Sequence, residues 1–119
     1  SLLSNFCTQL TATNLAEGLG LSSVNTAKKY MGYLAEPFLF FYLPRYNNKL
    51  RLMTKAARKV YVVDNGFVTA RAFNLSENYG RMLENLVFVE LLRRGYDTEH
   101  NKMCYYKSRN TKETDFVLP

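Results

Sequence analysis

One hundred and nineteen residues suffice for one compact domain or two very small ones, and fall short of a multi-domain enzyme. Hydrophobic residues make up 47%, with nine Tyr and eight Phe, which excludes intrinsic disorder. The net charge of +6 is a local feature: residues 1–44 and 60–119 each sum to zero, and the excess lies in 45–59, RYNNKLRLMTKAARK, which holds six basic residues and no acid.

The longest apolar run, FLFFYL at 38–43, is bracketed by Pro37 and Pro44 and is far shorter than the roughly 20 residues of a membrane span. The first ten residues lack the basic start and long apolar stretch of a signal peptide, and the missing initiating Met reads as a fragment of a larger protein. Cys7 and Cys104 are too far apart for a metal-binding spacing and read as reduced thiols of a cytoplasmic protein.

In chain order, residues 2–10 place Leu3, Phe6, Cys7 and Leu10 on one stripe, predicting a first helix. A second spans about 12–19, capped by Thr11 or Thr13, with Leu15, Ala16 and Leu19 inward and Gly20 as its stop. Ser22 is the expected N-cap of a third helix running to Ala35, with Val24, Ala27, Met31, Leu34 and Ala35 at helical spacing, and Pro37 ends it. FLFFYLP, a turn at RYNNK and the alternating KLRLM then predict a β-hairpin. KVYVVDNG at 59–66 reads as a strand closed by an Asp-Asn-Gly turn. Residues 78–94 form the strongest helix, apolar almost all round and so expected to be largely buried, with Gly95 as its stop. MCYYKS and KETDFVLP, joined by a turn at 109–111, predict a last hairpin.

Helix, glycine turn, helix and basic hairpin follow the order of a winged helix-turn-helix. On the third helix the outward face carries Asn25, Thr26, Lys29 and Tyr33, flanked by Lys28. Asn can pair with an adenine edge, Thr with base or phosphate, and Lys with phosphate. Arg45, Lys49 and Arg51 of the hairpin would neutralise neighbouring phosphates. Glu36 shares that face and opposes phosphate, and helix-turn-helix units also dock proteins, so a protein-interaction module built around Tyr33, Phe41 and Tyr42 stands beside DNA binding.

In the second half, Glu84 and Glu90 lie on an apolar helix about 120° apart, while Asp115 follows Glu113 on the same side of a strand. A helix Glu and a strand Asp are oxygen ligands suited to Mg²⁺. Ion pairs are the plainer alternative: Glu84 with Arg81 or Arg58, and Asp115 with Lys107. His100 reads as a surface residue and Asp64 as a turn residue.

Taken together, LAEGLGLSSVNTAKKYMGYLAEPFLFFYLPRY, KVYVVDNGF and GRMLENLVFVELLRRGYDTEHNKMCYYKSRNTKETDFVLP resemble the C-terminal region of a family of bacterial and archaeal AAA-type ATPases, over roughly residues 10–119. The resemblance implies an α+β fold: a winged helix-turn-helix at 1–54, then at 55–119 a truncated PD-(D/E)XK (restriction-endonuclease-like) α/β unit. It puts Glu84 on the helix glutamate and Asp115 on the metal-binding aspartate of the nuclease pattern. The strand bearing an acidic residue, a spacer and a lysine would come after Pro119, and the phosphate-binding loop for ATP would belong to a preceding module. The expectation is therefore a DNA-binding or targeting segment that contacts duplex DNA through Asn25, Thr26, Lys28, Lys29, Arg45, Lys49 and Arg51. It carries no cofactor of its own, holds Glu84 and Asp115 as an incomplete Mg²⁺ site, acts beside an ATPase module, needs no membrane and is compatible with a homo-oligomer. Mg²⁺-dependent endonuclease activity in a longer chain, and a regulatory protein-binding role, are the alternatives.

Overall fold

A computed structural model of the chain describes residues 6–49, 52, 56–70, 78–100 and 103–119. The fold is mixed α+β, built from short helices and two small antiparallel sheets. The first elements are β1 (Gln9–Leu10), α1 (Ala12–Gly18), α2 (Val24–Ala35), β2 (Phe40–Leu43) and β3 (Arg58–Val62). They are followed by a short α3 (Gly66–Thr69), the long α4 (Tyr79–Arg93), and the pair β4 (Cys104–Lys107) and β5 (Glu113–Val117).

The expected first helix over 2–10 is corrected where it can be seen. Residues 6–8 turn, with Cys7 at a φ of 57°, and Gln9–Leu10 form a strand against Arg58 and Lys59. Cys7 N–H donates to Val60 O at 2.6 Å, so the backbone groups a helix would have satisfied internally are taken by β3 instead. Residues 2–5 of that expectation lie outside the described residues.

α1 begins as read. Thr11 is its N-cap and accepts from Asn14 N–H at 3.1 Å, and Gly20 follows with a φ of 67°, the left-handed turn that favours glycine. Leu15 and Ala16 are buried, whereas Leu19, expected inward, is exposed because the helix has already ended at Gly18. α2 starts one residue later than expected, at Ser23 rather than Ser22, and buries Ala27.

β2 pairs with β3, in the register Phe40↔Val62 to Leu43↔Lys59. Most of 49–53 lies outside the described residues, but Ala56 N–H donates to Leu52 O four residues back, a helical bond rather than a strand ladder. The β-branched and aromatic residues of KVYVV fill a central strand. The first sheet has the order β1-β3-β2, with α1 and α2 inserted between β1 and β2. A division after residue 54 puts β3 with the second half of the chain, while its ladder bonds tie it to β1 and β2.

β3 is buried on both faces. Val60 and Val62 alternate with Lys59 and Tyr61 along the pleat, and all four are inaccessible or nearly so. Tyr61 stacks on Phe88 of α4 with ring centroids 4.1 Å apart and planes within 9°, a contact worth about 1 kcal/mol beyond burial. The second sheet joins the first through Tyr105, which donates N–H to Pro44 O at 3.0 Å, accepts from Tyr46 N–H at 2.7 Å and places its hydroxyl on Ala57 O at 2.6 Å.

α4 is less buried than its composition suggests. Phe88 and Asn85 are fully enclosed, but Leu83 and Leu86 are 62% and 57% exposed, with Tyr79 and Val87 beside them. Both cysteines are free and buried.

Candidate functional site

Two groups of residues carry chemistry. The first centres on Lys59, whose side chain is 4% exposed. Position 59 is the last before the strand becomes wholly apolar, and its alternation with Tyr61 aims both at α4 and β5. Nζ lies 2.8 Å from Glu84 Oε1, 2.5 Å from Glu113 Oε1 and 2.9 Å from Asp115 Oδ1. An ammonium has three donors and no acceptor, so three carboxylates satisfy it in full. The Tyr61 hydroxyl donates to the same Glu84 oxygen at 2.7 Å, and Gln9 Nε2 donates to Glu113 Oε2 at 2.8 Å. The ring of Tyr105 lies 5.8 Å from Nζ.

Burial alone would lower the Lys59 pKa, but the hydrogen bonds from Glu113, Glu84 and Asp115 outweigh it and hold the amine above its ordinary range. Tyr61 is pushed up by burial and then by its bond to Glu84. Cys7 is also raised, first by burial and then by the charge of Glu84, which keeps it a thiol; it donates to Arg81 O at 3.2 Å.

Glu84 and Asp115 are thus brought together, on a single cation that the chain itself supplies. Their shared partner is Lys59, a residue not weighed for that role from the sequence. In the sequence Lys59 ends the basic run 45–59 and opens the strand KVYVV, and Glu113 stands only as a neighbour of Asp115. The signal that marks Lys59 is its place two residues before Tyr61 in an otherwise apolar strand. Glu90, across the helix, pairs with Arg94 at 3.0 Å in solvent, and His100 is exposed beside Asp97.

Asn85 is a further residue that sequence reasoning passed over. Fully buried, it accepts from Val62 N–H and donates to Val62 O, both at 2.9 Å, so its amide pairs with β3 as a neighbouring strand would. It also donates to Asn65 Oδ1, while Asn65 donates to Met82 O at 2.8 Å.

The second group is the surface of α2 and the connection after β2. Asn25, Lys28, Lys29 and Tyr33 are exposed, and Thr26 is half-buried. Lys49 is exposed, whereas Arg45 is half-buried and spends one guanidinium nitrogen on Lys107 O at 2.7 Å. Arg51 lies outside the described residues. Of the aromatic face, Tyr33 is open, but Phe41 leans on Phe88 and the Tyr42 hydroxyl is committed to Met31 O. Burial pushes the Tyr42 pKa up to about 12.

A family model described as "Domain of unknown function (DUF8612)" matches residues 1–79, more than half of the chain. The chain belongs to the DUF8612 family. A second model, "Domain of unknown function (DUF4143)", matches residues 79–119 and takes over where α4 begins. The DUF8612 segment therefore contributes Lys59, Tyr61 and Val62, and the DUF4143 segment contributes Glu84, Asn85, Glu113 and Asp115. An "Uncharacterized protein" of Haemophilus influenzae is 35% identical over 96 residues, covering 81% of this chain and 22% of its own length. "Uncharacterized protein MJ1544" of Methanocaldococcus jannaschii is 36% identical over 89 residues, 75% of this chain and 19% of its own. The chain thus spans about a fifth of the length of these curated relatives. No solved structure matches it. Among the described residues no helix is long and apolar enough to cross a membrane, and no group of three or more His, Cys, Asp or Glu is arranged to hold a metal ion.

Proposed function

We propose that this chain binds duplex DNA through a winged helix-turn-helix over residues 9–62, with α2 as the recognition helix and the connection 44–57 as the wing. The observation that carries the reading is the sheet order β1-β3-β2 with a helical pair between its first two strands, which leaves Asn25, Lys28 and Lys29 of α2 in solvent and a basic connection between β2 and β3. In this arrangement α2 enters the major groove, Asn25 reads a base edge, and the lysines hold phosphates on either side. The chemistry of the connection supports it: Lys49 is exposed, and Glu84, Glu113 and Asp115 are drawn to Lys59. Relatives several times longer than the matched segment suit a targeting role within a larger ATPase-type protein, as the sequence resemblance implies.

Duplex affinity measured against salt tests it. The logarithm of the binding constant should fall linearly with the logarithm of salt concentration, and Lys29→Ala or Lys49→Ala should each lower the slope by about one. Affinity that ignores salt removes the proposal.

The nuclease alternative fits less well. Oxygens of Glu84, Glu113 and Asp115 are taken by the Lys59 ammonium, so the residues present are arranged for an internal cation and not for Mg²⁺. Endonuclease activity belongs, if anywhere, to a longer chain; loss of cleavage there on Asp115→Ala would be its signature.

A further inference from the structure

Two grooves meet beside α2. One, of about 680 Å³, runs between α2 and the start of β3, past Thr11, Thr13 and Lys28. The other, of about 850 Å³, lies between the end of α2, β2 and the loop after α4, and its walls include Phe38, Phe41 and Tyr96. Ala35, Tyr42 and Arg58 line both, so the two form one channel with Arg58 at its middle. Arg58 is half-exposed and has no side-chain hydrogen bond or ion pair among the described residues. Phe38, at the mouth of the larger groove, is 68% exposed and holds a left-handed φ of 55°.

We infer that this channel takes a single-stranded nucleic-acid end, with its backbone along Lys28 and Arg58 and an unpaired base against the aromatic walls. The inference rests on the duplex-binding reading and goes beyond it, from a duplex to a duplex that carries an unpaired overhang. An aromatic wall stacks any base through its π-face, and a guanidinium without a partner is suited to phosphate. A groove of this size holds a nucleotide. Asp97 and Glu99 also line the larger groove, and Asp97 Oδ1 accepts from the N–H groups of Glu99 and His100. The two acids repel a phosphate while Glu99 accepts from the exocyclic amine of a base, which fixes the polarity, base toward Glu99 and phosphate toward Arg58. Lys28 is shared between the exposed face of α2 and the smaller groove, so a strand leaving the duplex reaches the channel without a break in positive charge.

The experiment compares, by fluorescence anisotropy, a blunt duplex with the same duplex carrying a short single-stranded overhang. The overhang should bind about tenfold more tightly, the gain from stacking one base. Phe38→Ala should remove that preference while leaving blunt-duplex affinity unchanged, and Arg58→Gln should lower the salt slope for the overhang substrate by about one. A 2-aminopurine placed in the overhang should lose fluorescence on binding to the unaltered protein, which tests stacking without any variant. Equal affinity for blunt and overhang duplexes, or undiminished 2-aminopurine emission in the complex, overturns the inference while leaving duplex binding in place, and hands the groove to an apolar peptide or a second copy. Failure of both substrates to bind removes the duplex reading and the channel with it.

Discussion

Lys59 shows how a single side chain can hold two halves of a molecule together. Its charge is removed from water, which is costly, and three carboxylates repay that cost by matching its three donors. Lys59→Met should therefore destabilise the chain by about 3 kcal/mol, near the lower end for a broken buried pair because Asp115 and Glu113 partly reach water. Urea unfolding at pH 7 measures it. On the alkaline side the sign is fixed by groups held above their ordinary values. Lys59 keeps its proton past the usual lysine range, so its contribution is full below about pH 10.4 and is lost as pH rises through the raised value. Tyr61 and Cys7 are raised too, so the unfolded chain releases their protons first and stability should begin to fall from about pH 9. A thermal midpoint that stays level to pH 11 would contradict this. Asn85→Leu should cost about 3 kcal/mol, because it strands the N–H and C=O of Val62 without partners in the core.

At the scale of elements, the sequence announced those whose local signals agree with their surroundings. α1 with its Thr11 cap and Gly20 stop, α2 to Ala35, α4 before Gly95 at a φ of 91°, and the β4–β5 hairpin all lie close to their expected places. The failures share a cause, which is that a distant strand overrides a local pattern. Residues 9–10 carry a helical stripe but are captured by β3, and β2 pairs with residues nearly twenty positions on. α4 was misjudged in another way. Its apolar residues circle the helix, but β3 and Phe116 cover one side only, and Leu83 and Leu86 are left in solvent. Leu83→Gln with Leu86→Gln should therefore change folding stability by no more than about 0.5 kcal/mol each, a result that core positions could not give and that thermal unfolding reads directly. Of the carboxylate site, Glu84 and Asp115 were legible because a known pattern names them. Lys59 was masked by the basic run that it ends, and its alternation with Tyr61 along the strand is the only local mark of its burial.

At the scale of the whole molecule, Glu84, Glu113 and Asp115 gather round Lys59, while Lys28, Lys29 and Lys49 stand in solvent. Glu84 and Asp115 share the Lys59 ammonium as their cation. Millimolar Mg²⁺ should leave the thermal midpoint unchanged beyond the effect of ionic strength, whereas a ligand for the native state would raise it. The match of DUF8612 to residues 1–79 and of DUF4143 to 79–119 puts both the Lys59 cluster and the Asn85 clamp across the junction of the two segments. DNA binding by the first segment is the claim on which the functional account depends. Its most direct test is an amide NMR titration of the chain with a duplex at low salt. The account predicts shift changes concentrated in residues 24–36 and 44–57 that reverse on adding salt. Changes concentrated instead on α4, or none at all, would contradict it.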